Sequence, residues 1–371
     1  MRPVTATKGG QPVTYPWNIN TNYSASTFTF GQGNATAATN LWNTVSPTKQ
    51  QVFDGWTYVA KVKNKQAKRK FDHDDYVTVA KAAKGQCGTI YRNALNPLKT
   101  ALGNYCSYCE RPLADRAQVE HICAEEQYPQ WILSWDNFLL ACPFCNGTKS
   151  DDPERSTVKA QFLVGNNNPT EADYYNAILN NYTWPDNFAT TYRDIPATLE
   201  YYDVLNGAWT PLDTDTVAIM QGTRCDPTDF DTGDVQGDVF LQTTDVNTTN
   251  CAVRVTVAGA AAADARMVTL YKLNIHTEKQ DYRVGERTQA WFEVLAQLDL
   301  LTAFAGDQNG FDKAWARTLA MATRTGYYSV WVLIFDATDA RDPSNARLVT
   351  RFVTETNLNG PYFNTNTAQV P

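Results

Sequence analysis

Two Cys-x-x-Cys pairs constrain this chain more than any other feature. Cys106-Ser-Tyr-Cys109 and Cys142-Pro-Phe-Cys145 bracket a stretch that also holds Cys123, so five of the eight cysteines and one of the three histidines fall between residues 106 and 145. Two such pairs can supply the four thiolates of one tetrahedral zinc. Two disulfides would suit a secreted chain, and a redox Cys-x-x-Cys usually occurs once, beside a βαβ pattern. No secretory leader and no βαβ pattern are read here. Structural zinc on Cys106, Cys109, Cys142 and Cys145 is therefore the expectation. The segment joining the pairs is longer than a simple zinc ribbon needs and has room for a functional hairpin. A site of this kind can contribute about 10–16 kcal/mol of apparent binding energy to local folding.

The polar residues inside that segment carry the chemistry. Ala117-Gln-Val-Glu-His-Ile122 reads as a strand ending in the pair Glu120-His121, and Asn137, Asn146 and Lys149 follow. A lone histidine is more often structural than catalytic, but this one follows a glutamate and lies between two zinc knuckles. Phosphodiester hydrolysis needs a base for water, a divalent metal for the developing charge and a cation on the phosphate. Histidine suits the first task. Glu120 and Asn146 offer hard oxygen ligands for Mg2+ or Mn2+, and Lys149 is the expected phosphate contact. Cys142-Pro143 places proline in the first turn of a helix, where its missing N–H costs nothing. Asn146 and Lys149 would then share a face of that helix. Asn137, at the turn into Phe138-Leu-Leu-Ala141, would brace the hairpin and orient His121 through backbone hydrogen bonds.

The order Cys-x-x-Cys, Val-Glu-His-Ile, Trp-x-Asn-x-Leu-Leu-Ala-Cys-x-x-Cys-Asn-x-x-Lys resembles the HNH endonucleases. The resemblance implies a ββα-metal fold with His121 as general base, Glu120 and Asn146 on the catalytic metal, and Asn137 orienting the hairpin. Many members read His-Ile-x-Pro after the base; here the run is His121-Ile-Cys-Ala124. Cys123 is thereby brought near the site, as a bystander in the preferred reading or as an extra metal ligand. Met1-Arg-Pro-Val4, Leu102-Gly-Asn-Tyr-Cys-Ser-Tyr-Cys-Glu110, and Thr269-Leu-Tyr-Lys-Leu-Asn274 with Arg283 and Arg287 are similar to HNH proteins of Septu-like bacterial anti-phage systems.

The rest of the chain frames this stretch. At 371 residues it has room for more than one domain. The expected division is 1–100, an N-terminal wrap and helical lead-in with a basic cluster; 101–155, the nuclease module; and 156–371, a mixed C-terminal region. The basic cluster is Lys61, Lys63, Lys65, Lys68, Arg69 and Lys70, with Trp56 and Tyr58 nearby. It reads equally as a solvated loop or as a phosphate-contacting strip. His73 among aspartates is a weaker second metal candidate. Residues 76–105 read as helix, 155–260 as loops with short strands such as Thr198–Tyr202 and Cys251–Val257, and 260–305 as helices. Trp291, Val294, Leu295, Leu298 and Leu301 form an apolar stripe in the last of these. Trp315–Thr323 reads as a further helix, Tyr327–Phe335 as a buried strand and 356–371 as a loose tail. Cys87, Cys225 and Cys251 read as buried thiols. No run of eighteen apolar residues indicates a membrane span, and the cytoplasm is the expected location. The net charge of −7 is unusual for a nucleic-acid binder, and points to a partner chain helping to hold the DNA.

The expected protein is α+β: an HNH ββα-metal module with a structural zinc on four cysteines, embedded in a larger mixed α/β chain. The resemblance implies metal-dependent hydrolysis of DNA phosphodiester bonds, in an anti-phage setting with an ATPase or other sensor as partner. The alternatives are a toxin or effector nuclease with an immunity protein, and a catalytically inactive zinc-stabilised binding module.

Overall fold

The computed structural model describes residues 59–60, 69–70, 91–92, 94–128, 131, 137–182, 184–185, 197–203, 208–212, 214, 253–257, 262–274, 282–342 and 347–359. Of the basic cluster, Arg69 and Lys70 form β2 (Arg69–Lys70), which pairs antiparallel with β1 (Val59–Ala60). The other four lysines, Trp56, Tyr58, His73, Cys87, Cys225 and Cys251 lie outside the described residues, as does most of the expected 76–105 helix. Its last part is α1 (Leu95–Leu102), with Leu98 and Leu102 buried. The chain folds as two compact units. One contains residues 117–182 with the described residues up to 100; the other contains 101–116 and everything described from 184 onward.

The first unit is built on a hairpin. β3 (Gln118–His121) pairs antiparallel with β4 (Phe138–Ala141), with His121 opposite Phe138 and Glu120 opposite Leu139. All four residues of β4 are buried, as an uninterrupted apolar run requires. α2 (Pro143–Lys149) follows at once, with Cys142 in extended backbone as its N-cap and proline in the first turn. Ser150, at φ 48°, ends it. Two helices then occupy the stretch expected to be loops with short strands: α3 (Arg155–Phe162) and α4 (Glu171–Asn181). The overlooked signal is Thr170-Glu-Ala-Asp173. Thr170 accepts from the Asp173 amide while Asp173 accepts from the Thr170 amide, a reciprocal capping box. Both helices brace the β3–β4 connection. The Arg155 guanidinium lies 5.8 Å from the Tyr128 ring centre and 3.7 Å from that of Tyr174, and Trp131 stacks on Tyr175 at 4.5 Å.

The second unit combines a three-stranded sheet with a helical bundle. β5 (Ala197–Asp203) is central, between β6 (Ala208–Pro211) and β7 (Val253–Val257), all antiparallel. Helices α5 (Ala262–Leu270), α6 (Arg283–Ala303), α7 (Gln308–Thr325), α8 (Tyr328–Arg341) and α9 (Leu348–Asn359) follow. The outer edge of β7 is closed by side chains. Asn274 accepts from Val255 N (2.7 Å) and donates to Val255 O (2.5 Å). Thr288 accepts from Val253 N, and Arg287 donates to Val253 O. Arg283 and Arg287 also donate to the carbonyls of Tyr271, Lys272 and Leu273. The Leu-Asn…Arg segment is thus an edge clamp that satisfies a strand's outer polar groups.

The apolar stripe of α6 is core, with Trp291, Val294, Leu298 and Leu301 at most 2 % exposed. Tyr327–Phe335 is a correction: it is helix, not strand. Nearly every residue at the start of α8 is buried. A helix apolar all round carries no periodicity by which to recognise it. The expected tail also begins as helix, since α9 runs to Asn359. The amides of Arg347, Leu348 and Val349 donate to the Asp339 carboxylate, which caps the start of α9 from α8. Among the described residues no helix is long and apolar enough to cross a membrane.

Candidate functional site

Each Cys-x-x-Cys pair sits in a tight turn. In the first, Cys106 N donates to Arg111 O and Glu110 N to Cys106 O. Glu110 takes left-handed backbone, φ 69°, costly for a residue with a Cβ. Its carboxylate is fixed by the amide (2.9 Å) and hydroxyl (2.7 Å) of Ser329. Tyr108, between the cysteines, stacks on Tyr271 at 3.8 Å. Arg111 pairs with Glu286, and Tyr327 donates to the same carboxylate. Burial, together with Glu286, pushes the Tyr327 phenol well up, so it remains a donor. In the second pair, Cys142 Sγ accepts from Cys145 N at 3.4 Å.

All four sulfurs lie within 4.8 Å of one another, and none is in a disulfide. A zinc tetrahedron with Zn–S near 2.3 Å has edges of about 3.8 Å. The buried four-cysteine cluster could hold one structural zinc.

On the hairpin, Glu120, His121, Asn146 and Lys149 line one cavity of about 400 Å³, together with Tyr91 and Glu125. His121 is 7 % exposed. Its ring meets Tyr91 edge-on at 4.6 Å and Phe138 edge-on at 5.1 Å, so two aromatic rings limit its rotation. The Asn146 side-chain amide donates to Gln118 Oε1 at 2.8 Å. With that nitrogen engaged, the carbonyl oxygen is the end of Asn146 suited to a cation. Glu120 and Asn146 are hard oxygen donors of the kind that hold Mg2+ or Mn2+ alongside several waters. The chemistry of the donor set therefore fits a catalytic divalent cation.

Asn137 is fully buried. Its Oδ1 accepts from Cys123 N (2.7 Å), and its Nδ2 donates to Cys123 O (3.1 Å) and Trp131 O (3.2 Å). Its own carbonyl accepts from Ile122 N. One residue thus extends the hairpin ladder across Ile122-Cys123, in the run that lacks the usual proline. Asn137→Ala is expected to cost about 2–6 kcal/mol, because a buried amide and carbonyl left unpaired cost about 1–3 kcal/mol each. The check is a denaturant midpoint against wild type; a change within error would remove the bracing role. Cys123 is buried, and burial pushes its thiol well up, with Lys149 opposing the shift and Glu120 adding to it. It lies outside the cysteine cluster and has the character of a bystander thiol.

Lys149, the expected phosphate contact, lines the same cavity. Its side chain is 1 % exposed and pairs with Glu120 Oε1 at 2.9 Å, that carboxylate also being 1 % exposed. Its ammonium also donates to the His121 carbonyl at 2.6 Å. The sequence reading missed Tyr91 and Gln118. Tyr91 is remote in the chain and carries no local motif. Gln118 stands two residues before Glu120 and so on the same face of the strand, a signal that was available.

A family model described as HNH endonuclease matches residues 106–152. Septu protein PtuB of Bacillus thuringiensis is 39% identical over 49 residues, 12% of this chain and 19% of that protein. The chain thus spans about a fifth of the length of the curated relative it matches. No solved structure matches the chain.

Proposed function

We propose that this chain is a metal-dependent nuclease that hydrolyses phosphodiester bonds in DNA. The observation that carries the reading is that Glu120, His121 and Asn146 line one cavity on the hairpin and helix of the HNH domain. Glu120 and Asn146 would hold Mg2+ or Mn2+. When bound, that ion supplies positive charge for the phosphate and the leaving oxygen. His121, held between Tyr91 and Phe138, takes the proton of the attacking water on an imidazole nitrogen. Asn137 keeps the hairpin end in register beneath it. Cys106, Cys109, Cys142 and Cys145 would hold zinc and maintain the scaffold.

The setting is read as anti-phage defence with an ATPase or other sensor as partner. The support is the similarity to Septu protein PtuB over the HNH stretch. The net charge of −7 agrees with a nuclease that relies on another chain to hold much of its DNA. The test is cleavage of supercoiled plasmid by the full chain with Mg2+ or Mn2+, alone and with the product of the neighbouring gene. Cleavage is expected, with nicked or linear product, and Asn146→Ala is expected to abolish it with zinc content unchanged. A folded, zinc-loaded wild type that is silent in both settings would overturn the nuclease reading.

A further inference from the structure

We propose that Lys149 is a positioning residue for the Glu120–His121 pair and not a phosphate contact. The inference rests on the nuclease reading above and assigns a role within the same site. Its first support is burial, since the side chains of Lys149 and Glu120 are each 1 % exposed. Its second is the bonding pattern. One ammonium bonds to the Glu120 carboxylate at 2.9 Å and to the backbone carbonyl of His121 at 2.6 Å. It therefore grips consecutive residues of β3, one by its side chain and the next by its main chain.

The third support is position. Lys149 closes α2, three residues after Asn146. The helix carrying one proposed metal ligand is thus tied to the strand carrying the other ligand and the base. The groups around an ordinary metal-ligating carboxylate are themselves hydrogen-bonded, and losing such a partner typically costs 10–100-fold in metal affinity or activity. A lysine on a phosphate behaves differently. Its removal weakens binding uniformly and lowers the salt slope by about one.

The two roles separate in one pair of measurements on the full-length protein. The first is Mn2+ binding, read from the free-Mn2+ electron paramagnetic resonance signal. The second is the slope of log affinity against log salt for a short DNA duplex without divalent ions. Lys149→Met is expected to weaken Mn2+ binding about 10–100-fold and to leave the salt slope unchanged. Unchanged Mn2+ affinity with a slope lower by about one overturns the proposal.

Lys149→Met removes the ion-pair partner at 2.9 Å from the buried Glu120 carboxylate, which can prevent folding. In that event the double variant Glu120→Gln with Lys149→Met, which removes both charges, carries the slope measurement. A wild-type slope supports positioning, and a slope lower by about one overturns it. A wild type that binds no Mn2+ overturns the nuclease reading, and this inference with it. A wild type that binds Mn2+ beside a folded Lys149→Met variant that binds it equally well overturns the inference alone.

Discussion

Replacing Cys142 by serine is expected to strip the chain of zinc and to unfold the HNH stretch. The four sulfurs converge within 4.8 Å and all four cysteines are buried. Cys142 also caps α2, its sulfur accepting the Cys145 amide; a serine hydroxyl can take over that cap, so the substitution isolates the loss of the thiolate. Structural zinc sites contribute about 10–16 kcal/mol of apparent binding energy. That is as large as the whole stability of a typical domain, about 5–15 kcal/mol. The buried residues Ile122, Leu139 and Leu140 cannot offset such a loss in a hairpin of two four-residue strands. Elemental analysis should find about one zinc per wild-type chain and almost none in Cys142→Ser, with an early melting transition in the variant. Cys123→Ser is the control, because Cys123 stands outside the cluster; it should keep the zinc. If Cys142→Ser retains both zinc and the wild-type melting curve, the cluster is not a zinc site.

His121→Ala is expected to lower plasmid cleavage by about 10²–10⁴-fold, the usual contribution of a general base. That equals about 2.7–5.5 kcal/mol in the barrier. The fold should tolerate the change. His121 has an aromatic ring on each side, Tyr91 and Phe138, and the ion pair of Glu120 with Lys149 does not use its ring. Zinc content should therefore stay at the wild-type level. The vacated space opens on a cavity of about 400 Å³, large enough to admit free imidazole. Added imidazole should recover part of the rate, which loss of a merely structural ring would not allow. A drop smaller than about threefold, with no imidazole response, would assign the proton transfer to another group.

How much of this was legible in the sequence follows from how local each feature is. Zinc thiolates come in pairs with two residues between them because one tight turn must deliver both sulfurs. Cys106, Cys109, Cys142 and Cys145 could therefore be named before any coordinates. The positions of Glu120-His121, Asn137 and Asn146 were readable for a similar reason: a strand end, a hairpin end and a helix's first turn each occupy a short segment. The stripe of α6 was readable because only part of its surface is buried, so apolar residues recur with the helical period.

The tertiary structure decided whatever depends on partners distant in the chain. Tyr328–Phe335 is buried nearly all round, and an unbroken apolar run has no period to separate helix from strand. Asn274, Arg283 and Arg287 look like isolated polar residues until β7 presents its outer edge to them. Tyr91 enters the cavity without any local motif. Lys149 shows the limit most plainly. At the end of α2 the sequence offers a lysine, whose charge is compatible with a phosphate outside or a carboxylate inside. In the structure it lies buried beside the Glu120 carboxylate, as a cation withdrawn from water needs a fixed opposite charge, and the packing of α2 against β3 provides one.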